Sequence, residues 1–493
     1  MKDKKAQAAR TSPIDRQQMV MRPVDVDKLI DPDHPARGIW ELVGSLDLSV
    51  FYAQIDSVKG VAGRPAHDPQ LLICLWIYSY SRGVASAREI SRLCEWDPAY
   101  QWLTGLNWIN HHTLSDFRMQ QGEALQKLAS EVLGVLSEGG LVALKRVVHD
   151  GTKVRANAGS NSFRRERRLR EHIEMARRQI EEAEREAADE SGNKRKQAAR
   201  ERAARERKQR LEGALKELEE IRQHTEKPPQ ECRASWTDPD SRIMKFGDGG
   251  YGPGYNVQVS TDVDSGVIVG VAVSQSASDQ GLLEQAVEEV KQDTGRLPKQ
   301  LIVDGGFITA ASIVAAEQSG VELIGPAGEN NDPGKADDAQ AHSQFDRDAF
   351  TFDEQENCFT CPAGKKLTYQ GQEKRGDRII YRYQARAGDC RNCIFKDRCC
   401  PKARRGRRVQ REVNSPALVA FIEKMKTDRA KQIYKVRGAV AEFSNLWIKT
   451  KNGLRQFSVR SLARVKLETL WVCLTYNIQL WLRQCWRPQL QTL

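Results

Sequence analysis

Two short β-rich runs, Arg146-Val147-Val148-His149 and Leu301-Ile302-Val303, each stop at an Asp-Gly step, Asp150-Gly151 and Asp304-Gly305, and they lie far apart in the chain. Such runs read as buried strands closed by a turn. Bringing two of them together around intervening helices leaves few architectures, and the one expected is α/β, a mixed sheet flanked by helices. Further strand signals stand at Tyr255 to Thr261 and Val267 to Ser274, joined by the turn Asp264-Ser265-Gly266. A helix is expected from Asp279 to about Asp293, another from Ala310 to Gln318, and a last strand at Val321 to Ile324. Groups at the carboxyl ends of strands in an open sheet line the crevice where ligands bind, so Asp150 and Asp304 are expected to approach each other.

Before these strands, residues up to about 140 read as helical, with apolar periodicity through Leu71, Leu72, Leu75, Trp76 and Tyr78 and a second helix across Ala87 to Cys94. Thr113 with Asp116 three positions on reads as the capped start of another helix, with Phe117 and Leu125 on one face. The order permits a helix-turn-helix in which Arg118 and Gln120 face a groove while Arg88 and Arg92 contact phosphates; an ordinary helical bundle gives the same pattern. After Asp150, Leu169, Ile173, Ala176, Ile180, Ala183 and Ala187 form a heptad seam, and Leu211, Leu215, Leu218 and Ile221 form a second before Pro228-Pro229. With a break at Ser191-Gly192-Asn193, this predicts an inserted antiparallel helical hairpin, a solvated arm packing on itself or on a partner subunit.

The segment from about Gly325 to Arg411 reads as turn-rich and cysteine-containing. From Pro416 onward the chain is helical, carrying Tyr434, Arg437, Glu442 and Lys449 before a terminal helix whose stripe of Leu470, Trp471, Leu474, Ile478 and Trp481 reads as core. The expected division is a helical DNA-binding domain at 1–140, a catalytic core from 141–160 and 230–325, the hairpin at 161–229, the cysteine-containing insertion at 326–411, and a helical C-terminal part of the core at 412–493.

A chain of 493 residues exceeds what one core usually organises, and 40% hydrophobic with 29% charged residues excludes disorder throughout. The net charge of +11 and pI near 9.1 favour a polyanionic partner, with nucleic acid the leading class. The longest apolar stretch, near Leu470 to Leu482, is too short to span a bilayer, and no secretory pattern opens the chain, so a cytoplasmic protein is expected. Six of the eleven cysteines stand between Cys358 and Cys400. Cys358-x2-Cys361 and Cys390-x2-Cys393, with Cys399 and Cys400 nearby, would supply four thiolates to a structural tetrahedral zinc; metal-free structural or redox-active cysteines are the alternative. Lys402, Arg404, Arg405, Arg407 and Arg408 just beyond read as a DNA-facing run or a solvated loop. Trp236 reads as a stacking platform for a flipped base or as a half-buried aromatic.

Carboxylates are hard oxygen ligands, and three of them suffice to hold two magnesium ions at a phosphoryl-transfer site. The residues that carry this reading resemble the DDE transposases of bacterial insertion sequences. His111-His112-Thr113-Leu114-Ser115-Asp116-Phe117-Arg118 and His149-Asp150-Gly151-Thr152-Lys153-Val154, with Ala156-Asn157, are similar to the first half of that pattern. Gly63-Arg64-Pro65 with Asp68-Pro69 resembles the signature of its InsH-type helical N-terminal domain. Thr237-Asp238-Pro239-Asp240-Ser241 and Gly254-Tyr255-Asn256-Val257-Gln258 resemble its central strands, and Val303-Asp304-Gly305-Gly306-Phe307 the block holding its second aspartate.

The resemblance implies a ribonuclease-H-like core in which Asp150, Asp304 and an acid on a late helix hold two Mg2+ or Mn2+ ions. Tyr434, Arg437, Glu442 and Lys449 stand at Y-x2-R-x4-E-x6-K spacing, similar to a signature of related transposases, which makes Glu442 the third acid, with Glu423 and Glu468 competing for the role. Four intervening residues place Arg437 about 140° from Glu442 on a straight helix, while Lys449 shares the face of Glu442 and is expected on a DNA phosphate. Among the cysteines the resemblance points to Cys361, Cys390, Cys393 and Cys399, with Cys358 and Cys400 as alternates. Expected partners are the element's terminal repeats and target DNA, contacted also by Arg88, Arg118, Tyr434 and Arg437, and a homodimer or higher oligomer on DNA. The rival readings are a non-transposing nuclease with the same core and a zinc-containing DNA-binding regulator with an inactive core.

Overall fold

The computed structural model describes residues 16–490 except 18, 20, 22, 56, 58–64, 189–193, 226–227, 327–344, 346 and 376–377. The expected hairpin break at Ser191-Gly192-Asn193 and the first two residues of Gly63-Arg64-Pro65 lie outside the described residues. The N-terminal third is helical: α1 (Pro35–Gly44), α2 (Pro69–Ser81), α3 (Ala87–Trp96), α4 (Pro98–Thr104), α5 (His111–Gln120) and α6 (Gly122–Glu138). Asp68 and Asp97 cap α2 and α4 ahead of a proline at the first helical position, which needs no N–H there. Helix α5 starts two residues earlier than expected, because Asn110 in extended conformation, not Thr113, accepts the backbone N–H of His112.

The next strand, β1, runs Arg146–Arg155 and so passes through Asp150-Gly151 instead of stopping there. Pairing explains the difference. Residues Val147 to Arg155 are all held antiparallel by β3 (Tyr251–Asp262), whereas the parallel neighbour β5 (Gln300–Ile302) reaches only from Arg146 to Val148. The far edge of β3 pairs with β2 (Arg242–Lys245) at one end and with β4 (Ile268–Ser274) along the rest. Beyond β5 lies β6 (Glu322–Ile324), again parallel. The strand order is therefore β4-β3-β1-β5-β6, with antiparallel pairs on one side of β1 and parallel pairs on the other.

Helices α9 (Leu283–Thr294) and α10 (Ala310–Gln318) connect β4 to β5 and β5 to β6. Helix α9 begins four residues later than expected, after Gly281 at φ +78°, and this leaves Asp279 in the preceding loop. Between β1 and β2, α7 (Glu166–Ala188) and α8 (Lys194–Gln223) pack through Leu169, Ile173 and Ala176 against Leu211, Ala214 and Leu218. Trp236 packs on this cluster under the guanidinium of Arg207, a half-buried aromatic rather than an open stacking face.

The cysteine-containing segment is a second, antiparallel sheet in the order β11-β10-β9-β8-β7, from β7 (Thr351–Asp353), β8 (Cys358–Thr360), β9 (Lys366–Arg375), β10 (Arg378–Ala385) and β11 (Arg408–Asn414). The turn-rich reading missed it; alternation at Tyr369, Tyr381 and Tyr383 was the available signal, diluted by charged residues between. Four helices follow: α11 (Pro416–Lys426), α12 (Asp428–Tyr434), α13 (Arg437–Thr450) and α14 (Leu462–Trp481). Helix α14 packs on α2, α6 and β4, so one continuous core joins the N-terminal helices to the first sheet. The Thr237-to-Ser241 motif anchors its start, with Asp238 and Asp240 accepting the backbone N–H groups of Ser461 and Leu462. No described helix is long and apolar enough to cross a membrane.

Candidate active site

Val148 on β1 lies opposite Ile302 on β5, so two residues further on Asp150 and Asp304 occupy equivalent register positions and share a face. Val148 and Ile302 on that face are covered by Ala430 of α12 and Ala441 of α13, which carries the start of α13 over the carboxylates. Arg437, the first residue of α13, donates from Nη2 to Asp150 Oδ1 at 2.8 Å and lies 3.5 Å from Asp304 Oδ2. Asn445, two turns on, donates to the other oxygen of Asp150 at 2.9 Å. Asp304 also accepts the N–H of Gly306 at 2.8 Å, so one of its oxygens serves the turn that Asp-Gly signals while the other faces Arg437.

The charges in this space are closely balanced. Burial pushes the Asp150 carboxyl above its ordinary range, Arg437 pulls it down, and the neighbouring Asp304 and Asp279 push it up again. Tyr434 stands beside the same groups: burial raises its phenol, against the influence of Arg437 and with that of both aspartates. Lys449 is half-buried; burial depresses its ammonium, Asp150 opposes this, and Lys153 adds to it. Arg437 thus belongs to the site despite its angular distance from Glu442, because it reaches the aspartates from the helix end rather than from the face that Glu442 occupies.

Glu442 itself is exposed, three residues before Asn445 on α13, with its Oε1 3.9 Å from where a Cβ on Gly438 would sit. The competing acids are accounted for elsewhere. Glu468 is buried, bonded to Ser458 and 3.6 Å from Arg118, and Glu423 pairs with Lys426 at the surface. Among the described residues no group of three or more His, Cys, Asp and Glu is arranged to hold a metal ion.

Arg118 requires a correction. It is 5% exposed, donates to the Tyr80 hydroxyl and the Ala85 carbonyl, and lies over the Trp76 ring, so it cannot enter a DNA groove. Its place on α5 faces α2 and α14, and only the exposed Arg88, Arg92 and Gln120 keep the orientation that reading needed. Arg407 likewise turns inward, donating to the carbonyls of Cys399 and Phe345.

Beyond β8 the cysteines gather. Cys361, Cys390, Cys393, Cys399 and Cys400 line one small cavity, and backbone N–H groups of Lys365, Arg407 and Phe395 each point at a sulfur, of Cys361, Cys390 and Cys393, at 3.4 Å. Cys358 lies outside that lining, next to Glu356.

Two family models match the chain: a transposase DDE domain over residues 360–481, and a transposase domain (DUF772) over residues 24–120. Together these matches support an insertion-sequence DDE transposase. The matched ranges contain α1 to α5, the cysteines lining the small cavity and the helix bearing Arg437 and Glu442, while Asp150 and Asp304 fall between them. No curated protein and no solved structure gives a match. Sequence reasoning missed two residues at the transposase's site, Asn445 and Asp279; neither stands in a motif, and only the folded register brings them beside Asp150.

Proposed function

We propose that this transposase cleaves DNA strands at the ends of its element and transfers them to target DNA, using a ribonuclease-H-like core. The observation that carries the reading is the in-register pair Asp150 and Asp304 meeting over one guanidinium. Support for the core comes from the strand order, three antiparallel strands followed by two parallel ones with helices between. The donor set fits divalent ions, since two carboxylates of one face converge, and burial and the neighbouring acids raise Asp150 even with Arg437 beside it. Asp150, Asp304 and Glu442 would hold two Mg2+ or Mn2+ ions, Glu442 from the helix that already contacts Asp150 through Asn445. When bound, such a pair supplies activation of the attacking oxygen and neutralisation of charge on the in-line phosphoryl transition state.

The chain's own residues then orient the substrate. Arg437 and Lys449 offer donors to phosphate oxygens on either side of the carboxylates, and Tyr434 adds a hydroxyl. Water and then the exposed 3′ hydroxyl act as successive nucleophiles, so no covalent protein–DNA link forms. Joining two element ends calls for a dimer or higher oligomer on DNA. Cys361, Cys390, Cys393 and Cys399 are proposed to hold a structural zinc, supported by the three N–H groups aimed at their sulfurs.

The test uses purified protein, element-end duplexes and Mg2+ or Mn2+. Asp150→Asn and Asp304→Asn are expected to lose more than about a hundredfold in end cleavage, beyond the usual effect of disturbing an outer-shell partner. Joined products from pre-cleaved ends and a target plasmid separate a transposase from a nuclease. Undiminished cleavage by Asp150→Asn would refute the proposed site.

A further inference from the structure

Asp279 stands in the loop between β4 and α9, near Asp150, and the function proposed above gives it no role. Its Oδ1 accepts from Asn256 Nδ2 at 2.7 Å, Gln258 Nε2 at 2.9 Å and Lys153 Nζ at 3.2 Å. Burial works against its charge, yet these donors outweigh burial and hold the carboxyl below its ordinary range. The group is pressed against the backbone beside Asp150. A Cβ built on Gly151 would lie 2.4 Å from Asp279 Oδ1 and 2.6 Å from Gln258 Nε2, so a larger residue at 151 would expel the acid. A Cβ on Gly306 would meet Asp279 Cβ at 3.8 Å, which puts the acid against both Asp-Gly steps.

Lys153 is the cation this arrangement fixes, its side chain only 17% exposed and its partner's 22%. It stands on β1 past the point where β5 ends, and it is near enough to Lys449 of α13 to disfavour that residue's charge. Lys153 and Asp279 lie on the face of β1 opposite Asp150, at the end of the sheet where Asp150, Asp304 and Arg437 meet on the other face. Across both faces four acids, Asp150, Asp304, Asp279 and Glu442, stand near three cations, Arg437, Lys153 and Lys449, so two divalent ions added there leave surplus positive charge, and a DNA phosphate is the anion that offsets it.

We propose that Lys153 is a second phosphate-binding cation of the cleavage site, working with Lys449, and that Asp279 is the positioning residue that holds its ammonium in place. The inference rests on the transposase reading. Lys153 meets a phosphate beside Asp150 from the other face of β1, at the end of the sheet, and Asp279 fixes where it does so.

The experiment measures binding of a labelled duplex carrying one element end across a salt series, and end cleavage with kcat and KM separated. Lys153→Gln is expected to lower the magnitude of the salt slope by about 0.9, one phosphate contact, and Lys153→Arg to restore it. Asp279→Asn keeps an ammonium at 153, so its slope stays at the wild-type value while kcat falls about tenfold or more with KM little changed. Asp279→Glu, longer by one methylene, recovers part of that loss. If Lys153→Gln and Asp279→Asn only lower the melting temperature, with slope and kcat per folded molecule unchanged, the pair is a structural ion pair and the proposal is overturned. Asp150→Asn runs alongside: should it cleave like wild type, the function reading fails, while the Lys153→Gln slope still decides whether Lys153 meets DNA.

Discussion

Two arginines, Arg118 and Arg437, both end at carboxylates, and burial separates their roles. Arg437 keeps a side chain 20% exposed between Asp150 and Asp304, where solvent reaches it. Arg118 and Glu468 are 6% and 1% exposed, sealed between α5 and α14. Removing one member of a sealed pair leaves the other charge uncompensated, and this costs about 3–5 kcal/mol. Arg118→Ala is therefore expected to lower unfolding stability by that amount in a denaturant titration, with DNA affinity of the folded fraction unchanged. Arg118→Met together with Glu468→Leu should recover most of the loss, because neither charge is then left alone. A stable Arg118→Ala protein with weakened DNA binding would return Arg118 to the groove-facing role. The sequence showed both arginines inside motifs but carried no mark of which one faces inward, since burial depends on how helices far apart in the chain cross.

Contacts between elements carry their own pH and metal dependence. Where α6 meets α9, Gln126 donates to Asp293, and burial first, then the charge of Glu289, pushes that carboxyl up to about 7. The folded state therefore holds a proton that the unfolded chain releases near the ordinary carboxylate pKa. Stability from this group is present below that value and is lost as pH rises to about 7. Wild type should melt at a lower temperature at about pH 8 than at about pH 5, and Asp293→Asn should narrow the difference; an unchanged difference would contradict the buried-acid account. In the second sheet, β7 to β11 surround a small core of Phe350, Phe359, Leu367, Tyr383 and Val409, against which Cys361, Cys390 and Cys399 also pack. With the proposed zinc bound, so small a core would gain much of its stability from the metal. About one zinc per chain is expected by mass spectrometry of metal content, and Cys390→Ser should lose it and expose the sheet to protease. Full zinc content in Cys390→Ser would remove that thiolate from the ligand set. The elements around Asp150 and Asp304 were legible because buried strands are apolar, although β1 runs on through the turn its Asp-Gly step signals. This second sheet was not, because its exposed strands alternate charged and aromatic residues that read equally well as loop.

At the scale of the whole molecule, one core runs from the N-terminal helices through α14 into the first sheet, and the α7–α8 hairpin stands apart from it with a core of its own. The two hairpin helices were legible in the seams, whose heptad spacing survives any tertiary arrangement; the joining of the N-terminal helices to the sheet was not, because the apolar stripe of α14 does not show which elements it will cover. The hairpin's base is a two-stranded ladder, Phe163 and Arg164 against Ser235 and Ala234, so the chain leaves the main body and returns at adjacent points. Only a few groups cross the base, among them the ion pair of Arg242 with Glu217 at 2.6 Å and the packing of Cys232 and Trp236 on the hairpin core. The partly exposed ion pair contributes about 1 kcal/mol at most, and uncovering the buried Cys232 and half-buried Trp236 costs on the order of a few kcal/mol together. Replacing residues 166–223 with a short Gly/Ser linker is therefore expected to leave a folded protein whose melting temperature falls by only a few degrees. Because the hairpin supplies none of Asp150, Asp304, Arg437, Asn445 or Lys449, metal-dependent nicking of a single element end should stay within about tenfold of wild type. A shortened chain that unfolds would mean the hairpin is part of the main folding unit. One that folds but no longer nicks would place a residue of the hairpin at the DNA.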